Sequence, residues 1–200
     1  MKNLIIAIFF LSIATAGFAQ GDFKTQITTA KTSYAAGKLE DAHFALEQAM
    51  QELDMIIGKE VLKLLPAKLD TVSMNTKDDH VMANVGFVGA TIHRSYGMYN
   101  NASIEIINNS PMIGMLNTFL NSAMLGGMMR DENTKVVKVQ GYKARLEKEG
   151  ETTADGKTNY KLEIPFNNAL MTITVNATTE SAILADANAI PLQDIAKLVQ

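Results

Sequence analysis

Cysteine is absent from the 200-residue chain, and so is tryptophan. Without a thiol the protein can form no disulfide, no thiolate nucleophile and no cysteine-based zinc or iron–sulfur centre. A lipid attached to a cysteine at a processed N-terminus is excluded for the same reason. Aromatic residues are few, at 6%, but the 47% of hydrophobic residues are enough to build a core.

Charge of either sign is modest. The chain has 18 basic and 21 acidic residues and a formal net charge of −3. Nucleic acids and anionic membrane surfaces select strongly basic patches, and this weak acidic balance argues against both. We therefore expect neither as a partner.

The first 19 residues have the pattern of a cleavable secretory signal peptide. Lys2 is the only charged residue among the first 21, an apolar run covers residues 4–14, and the small residues Gly17 and Ala19 follow. This order is typical of an export signal, and it predicts cleavage after Ala19, with Ala16 as the alternative. The apolar run is shorter than the roughly 20 residues of a membrane-spanning helix. We therefore expect a periplasmic or secreted protein with no stable membrane anchor.

Residues 20–66 are predicted to form a helical hairpin. Apolar residues recur at helical spacing on both sides of Gly37, and Pro66 ends the pattern. In the second helix the spacing predicts one apolar stripe with the charged residues outside it. The apolar residues are Phe23, Ile27, Ala30 and Tyr34 in the first helix, and Leu39, Ala42, Leu46, Ala49, Leu53 and Ile56 in the second.

Part of this hairpin resembles the core of a tetratricopeptide repeat. The resemblance is carried by Ala30, Tyr34, residues 37–42, Leu46 and Ala49, where small and large residues fall as they do in that repeat. Arrays of such repeats need at least about three units for stability, and this chain has one. A lone hairpin must therefore pack against the rest of the chain or against a partner.

Residues 67–200 are predicted to form a domain built on a mostly antiparallel sheet. Alternating apolar residues predict strands within residues 81–99, 102–106, 136–139 and 171–175. The strongest pattern is in residues 142–164, where two alternating runs flank a polar loop and predict a β-hairpin with one buried face. One or two helices are expected in the last 20 or so residues. The predicted fold class is α+β, with the helical hairpin followed by an antiparallel sheet covered by helices on one face.

The order of elements is similar to that of small exported α+β proteins of the PsbP-like class, and also to bacterial envelope proteins with a Met-rich segment between two strands. The stretches that carry the likeness are residues 102–108 with 110–112, 136–149, 160–175 and the closing helix. This resemblance implies a binding or accessory role, and it supplies no catalytic residues.

The three histidines are the first residues to consider for catalysis or metal binding. His43 lies beside the apolar stripe of the second helix, and His93 has no partner visible in the sequence. His80 follows Asp78 and Asp79, but a metal site needs three or four ligands, and a polar loop is the simpler interpretation. No nucleophile turn, phosphate loop or dinucleotide fingerprint is present. We therefore predict a protein that is not an enzyme and has no cofactor.

The most unusual segment is Met-rich and covers residues 111–129. It has no charge and holds five of the chain's 12 methionines. The simplest interpretation is a helix plus loop packed on the sheet, with Ser110 as N-cap and methionine as an adaptable filler. Its buried face would be Met112, Met115, Leu116 and Phe119. The second is an exposed apolar surface for an envelope protein or an apolar ligand. The residues predicted for that surface are Met112, Met115, Leu116, Phe119, Met124, Met128 and Met129.

A third interpretation of this segment is copper(I) binding. Thioether sulfur is a soft ligand suited to that ion, and Met112 with Met115, or Met124 with Met128, could bring two sulfurs together on a helix. The leading hypothesis from the sequence is an exported binding or accessory protein of the cell envelope. A periplasmic copper(I)-handling protein is the alternative, and an enzyme is the third and least favoured hypothesis.

Overall fold

The computed structural model describes residues 23–83, 89–98, 101–122 and 133–199, so the predicted signal peptide lies outside the described residues. Two helices come first, α1 (Phe23–Ala35) and α2 (Leu39–Leu64). Gly37 turns the chain between them at a φ of +74°, a conformation that glycine adopts at little steric cost. The predicted helical hairpin is confirmed.

Eight strands then form one sheet in the order β1-β2-β3-β4-β8-β7-β6-β5. Every neighbouring pair is antiparallel. Two meanders, β1 to β4 and β5 to β8, are joined where β4 pairs with β8. The strands are β1 (Lys68–Leu69), β2 (Val72–Met82), β3 (Thr91–Tyr96), β4 (Ala102–Asn108), β5 (Thr134–Val139), β6 (Tyr142–Glu149), β7 (Thr158–Phe166) and β8 (Ala169–Thr178).

Three further helices complete the described structure: α3 (Met112–Asn121) between β4 and β5, then α4 (Glu180–Ala189) and α5 (Leu192–Leu198) after the last strand. Thr179 caps α4, since its hydroxyl accepts a hydrogen bond from the Ala182 amide. The predicted α+β class, with its antiparallel sheet, is confirmed. None of the helices in the described part of the chain has the length and apolarity that a membrane crossing needs.

One face of the sheet, here called the inner face, carries the main core. Ile104, Ile164 and Ile173 are fully buried there, together with Ile183 from α4 and Ile195 from α5. The predicted β-hairpin of residues 142–164 contributes β6 and β7, which pair Leu146 with Leu162 on this face. As expected, helices cover this face of the sheet, namely α4, α5 and the C-terminal end of α2.

The end of α2 is also fixed to the sheet by polar groups. The guanidinium of Arg94 donates hydrogen bonds to both carboxylate oxygens of Asp79, at 2.9 and 2.6 Å, and to the carbonyl of Leu65 at 3.2 Å. The hydroxyl of Tyr96 donates to the carbonyl of Pro66 at 2.9 Å. Asp79 also raises the pKa of Arg94. These bonds satisfy polar groups at the point where the helix meets the core.

The apolar stripe predicted for α2 is covered unevenly. Ala42 and Ala49 are buried, but Leu39, Leu46, Leu53 and Ile56 are 42–64% exposed. The first two thirds of α2 reach beyond the core, which takes its α2 side chains from Ile57 onward. One prediction needs correction, because His80 lies within β2 and not in a polar loop. Most of β2 is exposed, so it lacks the apolar alternation by which strands are predicted.

Candidate functional site

The opposite side of the sheet, here called the outer face, carries a row of side chains that runs straight across seven strands. Leu170 and Thr172 of β8 point to this face because they alternate with the buried Met171 and Ile173. Strand register aligns one residue from each strand in the row. From β2 to β5 these residues are His80, His93, Glu105, Thr172, Glu163, Arg145 and Val136.

Helix α3 covers one part of the outer face, over β6, β7 and β8. Leu116 and Leu120 of α3 are buried against Leu170, in an apolar cluster separate from the main core. At the start of the helix the Met112 amide lies 3.4 Å from the hydroxyl of Ser110. At its end the Lys143 ammonium of β6 donates to the carbonyl of Leu120 and the side chain of Asn121. A cation at this end also complements the helix dipole.

A cleft of about 290 Å³ lies between α3 and the sheet. Its apolar lining comes from Met112, Met115, Leu116 and Phe119 of α3 and from Leu170 of β8. Arg145 and Glu163, two members of the outer-face row, form its polar end together with Thr118 from the helix. An apolar cleft with a few polar groups at one end is the usual form of a small-ligand site.

The polar end of the cleft is neutral and internally paired. Glu163 is only 4% exposed, and its carboxylate lies 2.5 Å from Arg145 and 3.4 Å from Lys161. Arg145 is also 3.3 Å from Glu147. Each charge therefore has an opposite charge beside it, as a buried carboxylate requires. The cleft has no unpaired charge, among the described residues that line it, with which to attract an ion.

The structure brings four of the seven predicted surface residues together. Leu116 is buried and Phe119 half-buried in the cleft, whereas Met112 and Met115 are 51% and 75% exposed. The other three, Met124, Met128 and Met129, lie outside the described residues. The simplest interpretation of the segment predicts that Met112 and Met115 are buried fillers. Their exposure shows that this prediction is wrong. Met112 and Met115 are three residues apart in the chain, and both line the cleft. This position is compatible with copper(I) binding but does not test it, so the copper(I) alternative stays a prediction.

Four lining residues are not among those that the sequence predicts for this surface: Thr118, Arg145, Glu163 and Leu170. Arg145 and Glu163 are expected from the alternation to lie on the exposed side of the β6–β7 hairpin. They do lie opposite the inner face, but Glu163 is buried there, at 4% exposed. What the sequence pattern could not show is that α3 lies over them. One signal was available, because Leu170 is an apolar residue out of phase with Met171, Ile173 and Val175 and therefore indicates a second covered face.

A second cluster of polar side chains lies at the β2 end of the outer-face row. The rings of His80 and His93 stack with their centroids 4.7 Å apart, and Glu105 lies 4.0 Å from His93. Burial, with His80 as a further cause, lowers the pKa of His93. Among the described residues no three His, Cys, Asp or Glu side chains are grouped so as to hold a metal ion.

Comparisons with known proteins give no information on the family or function of this chain. No family model, no curated protein and no solved structure matches the chain. The likeness to the PsbP-like class stays a prediction.

Proposed function

We propose that this protein is an exported, non-enzymatic binding protein whose ligand is an apolar chain held in the cleft beneath α3. The observation that supports it most is the exposure of Met112 and Met115 at the mouth of a cleft whose other walls are Leu116, Phe119 and Leu170. Large apolar side chains exposed together around a concavity are typical of ligand sites. Export is part of the proposal and rests on the signal-peptide pattern.

The chemistry of the cleft favours a flexible apolar ligand. Methionine side chains are unbranched and adapt to irregular apolar shapes. The volume of about 290 Å³ lies just below the range typical for small-molecule sites, roughly 300–1,000 Å³. An acyl chain, or an apolar side-chain cluster of an envelope protein, fits this description, and we take the acyl chain as the first ligand to test.

Because Arg145 and Glu163 at the polar end of the cleft already pair with each other, we expect the ligand's headgroup to contribute little to the binding affinity. Arg145 is balanced by Glu163 and Glu147, so a carboxylate on the ligand would have to displace one of them. We therefore expect a fatty alcohol and a fatty acid of equal length to bind with similar affinity. A strong preference for the acid would contradict this and would mean that the pair opens on binding.

Titration of the purified protein with a fluorescent acyl probe tests the proposal. Met115→Asp places a carboxylate at the mouth of the cleft and is expected to weaken binding roughly tenfold or more, since each tenfold corresponds to about 1.4 kcal/mol. Met98→Asp is the matched control, because Met98 is also exposed, at 76% against 75% for Met115, but lies in the turn after β3 and does not line the cleft. Equal affinity of both variants and the original protein would overturn the proposed site.

A further inference from the structure

The helical hairpin presents an apolar face that the other described residues cover only in part. Ala30, Ala42, Ala45 and Ala49 are buried, so α1 and α2 meet largely through small residues and the large ones remain outside. Tyr34, Leu39, Leu46, Met50 and Leu53 are between 42% and 71% exposed. This surface is distinct from the cleft beneath α3, and its role is independent of the ligand proposed for that cleft.

The exposed residues of α2 are ordered as in a helix-packing seam. Leu39, Leu46 and Leu53 follow one another at seven-residue intervals, and Met50 lies between the last two. Residues at this spacing lie on one side of a helix and form a continuous stripe. Single exposed apolar residues are ordinary on a protein surface, but a heptad row is the pattern by which helices pack against helices.

Each helix of the hairpin also carries a row of charge with the same seven-residue interval. On α1 the row is basic, with Lys24 and Lys31, and residues 23–38 contain no acidic residue. On α2 the row is acidic, with Glu40, Glu47 and Asp54, and residues 39–58 contain no lysine or arginine. The rows repeat every ~10.5 Å along their helices.

The two charged rows do not neutralise each other within one chain. The ion pairs of the described hairpin are His43 with Glu47 and Glu60 with Lys63. Lys24, Lys31, Glu40 and Asp54 take part in no ion pair among the described residues. Complementary charges that flank an apolar seam are the arrangement that selects partners in helix bundles.

We propose that the exposed face of the hairpin binds the same face of a second copy of this chain, forming a four-helix bundle. In a two-fold arrangement the basic row of each α1 lies along the acidic row of the partner's α2, and every contact occurs twice. The leucine rows of the two copies form the apolar centre of the bundle. Antiparallel neighbours joined by a short turn are the usual topology of such bundles.

A second copy fits this face better than a membrane does. The acidic row of α2 would repel the anionic surface of a bilayer, whereas a copy supplies both charges in matching order. The area is sufficient for a reversible dimer. Two helices about 10 Å wide that run together for about 20 Å give a footprint of roughly 400 Å² per copy, which lies in the range of weak, transient interfaces. We expect a micromolar dissociation constant.

Sedimentation of the purified protein over a range of concentrations tests the proposal. A reversible monomer–dimer equilibrium is expected, and Leu46→Glu should weaken it at least about tenfold by placing a charge in the seam. Met82→Glu is the matched control, because Met82 is 51% exposed against 48% for Leu46 but lies on β2, outside the hairpin. A protein that stays monomeric overturns the proposal, and so does an equal loss of dimer in the two variants.

Charge reversal separates this arrangement from any other dimer. Lys31→Glu and Glu47→Lys should each weaken the dimer several-fold through like-charge repulsion, and the double variant should recover most of the loss. Both side chains are exposed, so the fold should survive, as circular dichroism can verify. A double variant no better than the weaker single one would overturn the pairing of the two rows.

Discussion

On β8, Met171 and Ile173 are completely buried on the inner face, while Leu170 and Thr172 alternate with them on the outer face. The side chains of β8 thus lie on two faces of the sheet, and these faces are covered to different extents. The inner face is closed by α2, α4 and α5 into one core. The outer face carries the row of mostly polar side chains, and among the described helices only α3 covers it.

Because the two faces are covered differently, we expect the inner face to determine the stability of the fold and the outer face to provide the binding site. A closed apolar face contributes most of the folding free energy, since hydrophobic stabilisation follows the apolar area removed from water. A face covered by one short helix leaves an edge where apolar side chains stay partly exposed. The cleft of Met115, Phe119 and Leu170 lies at such an edge, and substitutions on the two faces should therefore behave differently.

The largest difference is expected between two neighbouring isoleucines of β4. Ile106 is fully buried on the inner face, whereas Ile107 is half-buried on the outer face. Ile106→Ala should lower the free energy of unfolding by about 3 kcal/mol, through lost burial and the cavity left behind. Ile107→Ala should cost less than about 1 kcal/mol. Chemical denaturation measures both, and equal costs would contradict the proposed division between the faces.

The next effect concerns the charged pair beneath α3. Arg145→Met removes the closest partner of Glu163, which is almost fully buried, and should cost about 2 kcal/mol because a desolvated carboxylate loses its main counter-charge. The double variant Arg145→Met with Glu163→Leu should recover most of that stability. A double-mutant cycle in urea gives the coupling, and additive costs would show that the pair does not act as a unit.

Two glycines on helices that face opposite sides of the sheet give effects of opposite sign. A Cβ added at Gly58 of α2 would lie 2.3 Å from a methyl group of Val81, so Gly58→Ala should destabilise by about 1–3 kcal/mol. Trimming the neighbour with Val81→Ala should relieve part of this cost. Gly114 of α3 has open space, and Gly114→Ala should stabilise by up to about 1 kcal/mol through helix propensity. Thermal unfolding distinguishes the signs.

The smallest effect is the pH dependence of the histidine pair on the outer face. The pKa of His93 is lowered, first by burial and then by His80, so the unfolded chain binds a proton more readily than the folded one. The contribution to stability is therefore complete above pH ~6.5, the usual histidine pKa, and is lost as the pH falls through the lower folded value. His93→Gln should reduce the slope of the free energy of unfolding against pH on the acid side, as measured by chemical denaturation at several pH values. An unchanged slope would assign the pH dependence to other groups.

The inner face could be predicted from the sequence because its residues alternate strictly. Leu146, Leu162 and Ile164 indicate a hairpin with one buried side, and β6 and β7 follow that pattern. β2 could not be predicted over most of its length, because an exposed strand satisfies its backbone by pairing with β1 and β3 and needs no apolar alternation.

The outer-face cleft could be predicted only in part. The uncharged segment after Ser110 pointed to Leu116 and Phe119, but periodicity alone made Met112 and Met115 part of the same buried face. Which side of α3 meets the sheet is decided by tertiary contacts with Leu170 and Val136, and helix periodicity gives no information on these. The exposed leucines of α2 illustrate the same limit, since an apolar stripe does not state what covers it.

Methyl NMR of methionine-labelled protein tests the binding site most directly, with resonances assigned by Met112→Leu and Met115→Leu. On addition of a fatty alcohol, the methyl signals of Met112 and Met115 should shift in a saturable manner. Those of Met74 and Met82, which are exposed on β2 at 39% and 51%, should stay unchanged. Shifts of equal size at all four methionines, or none at Met112 and Met115, would contradict a ligand site in the cleft.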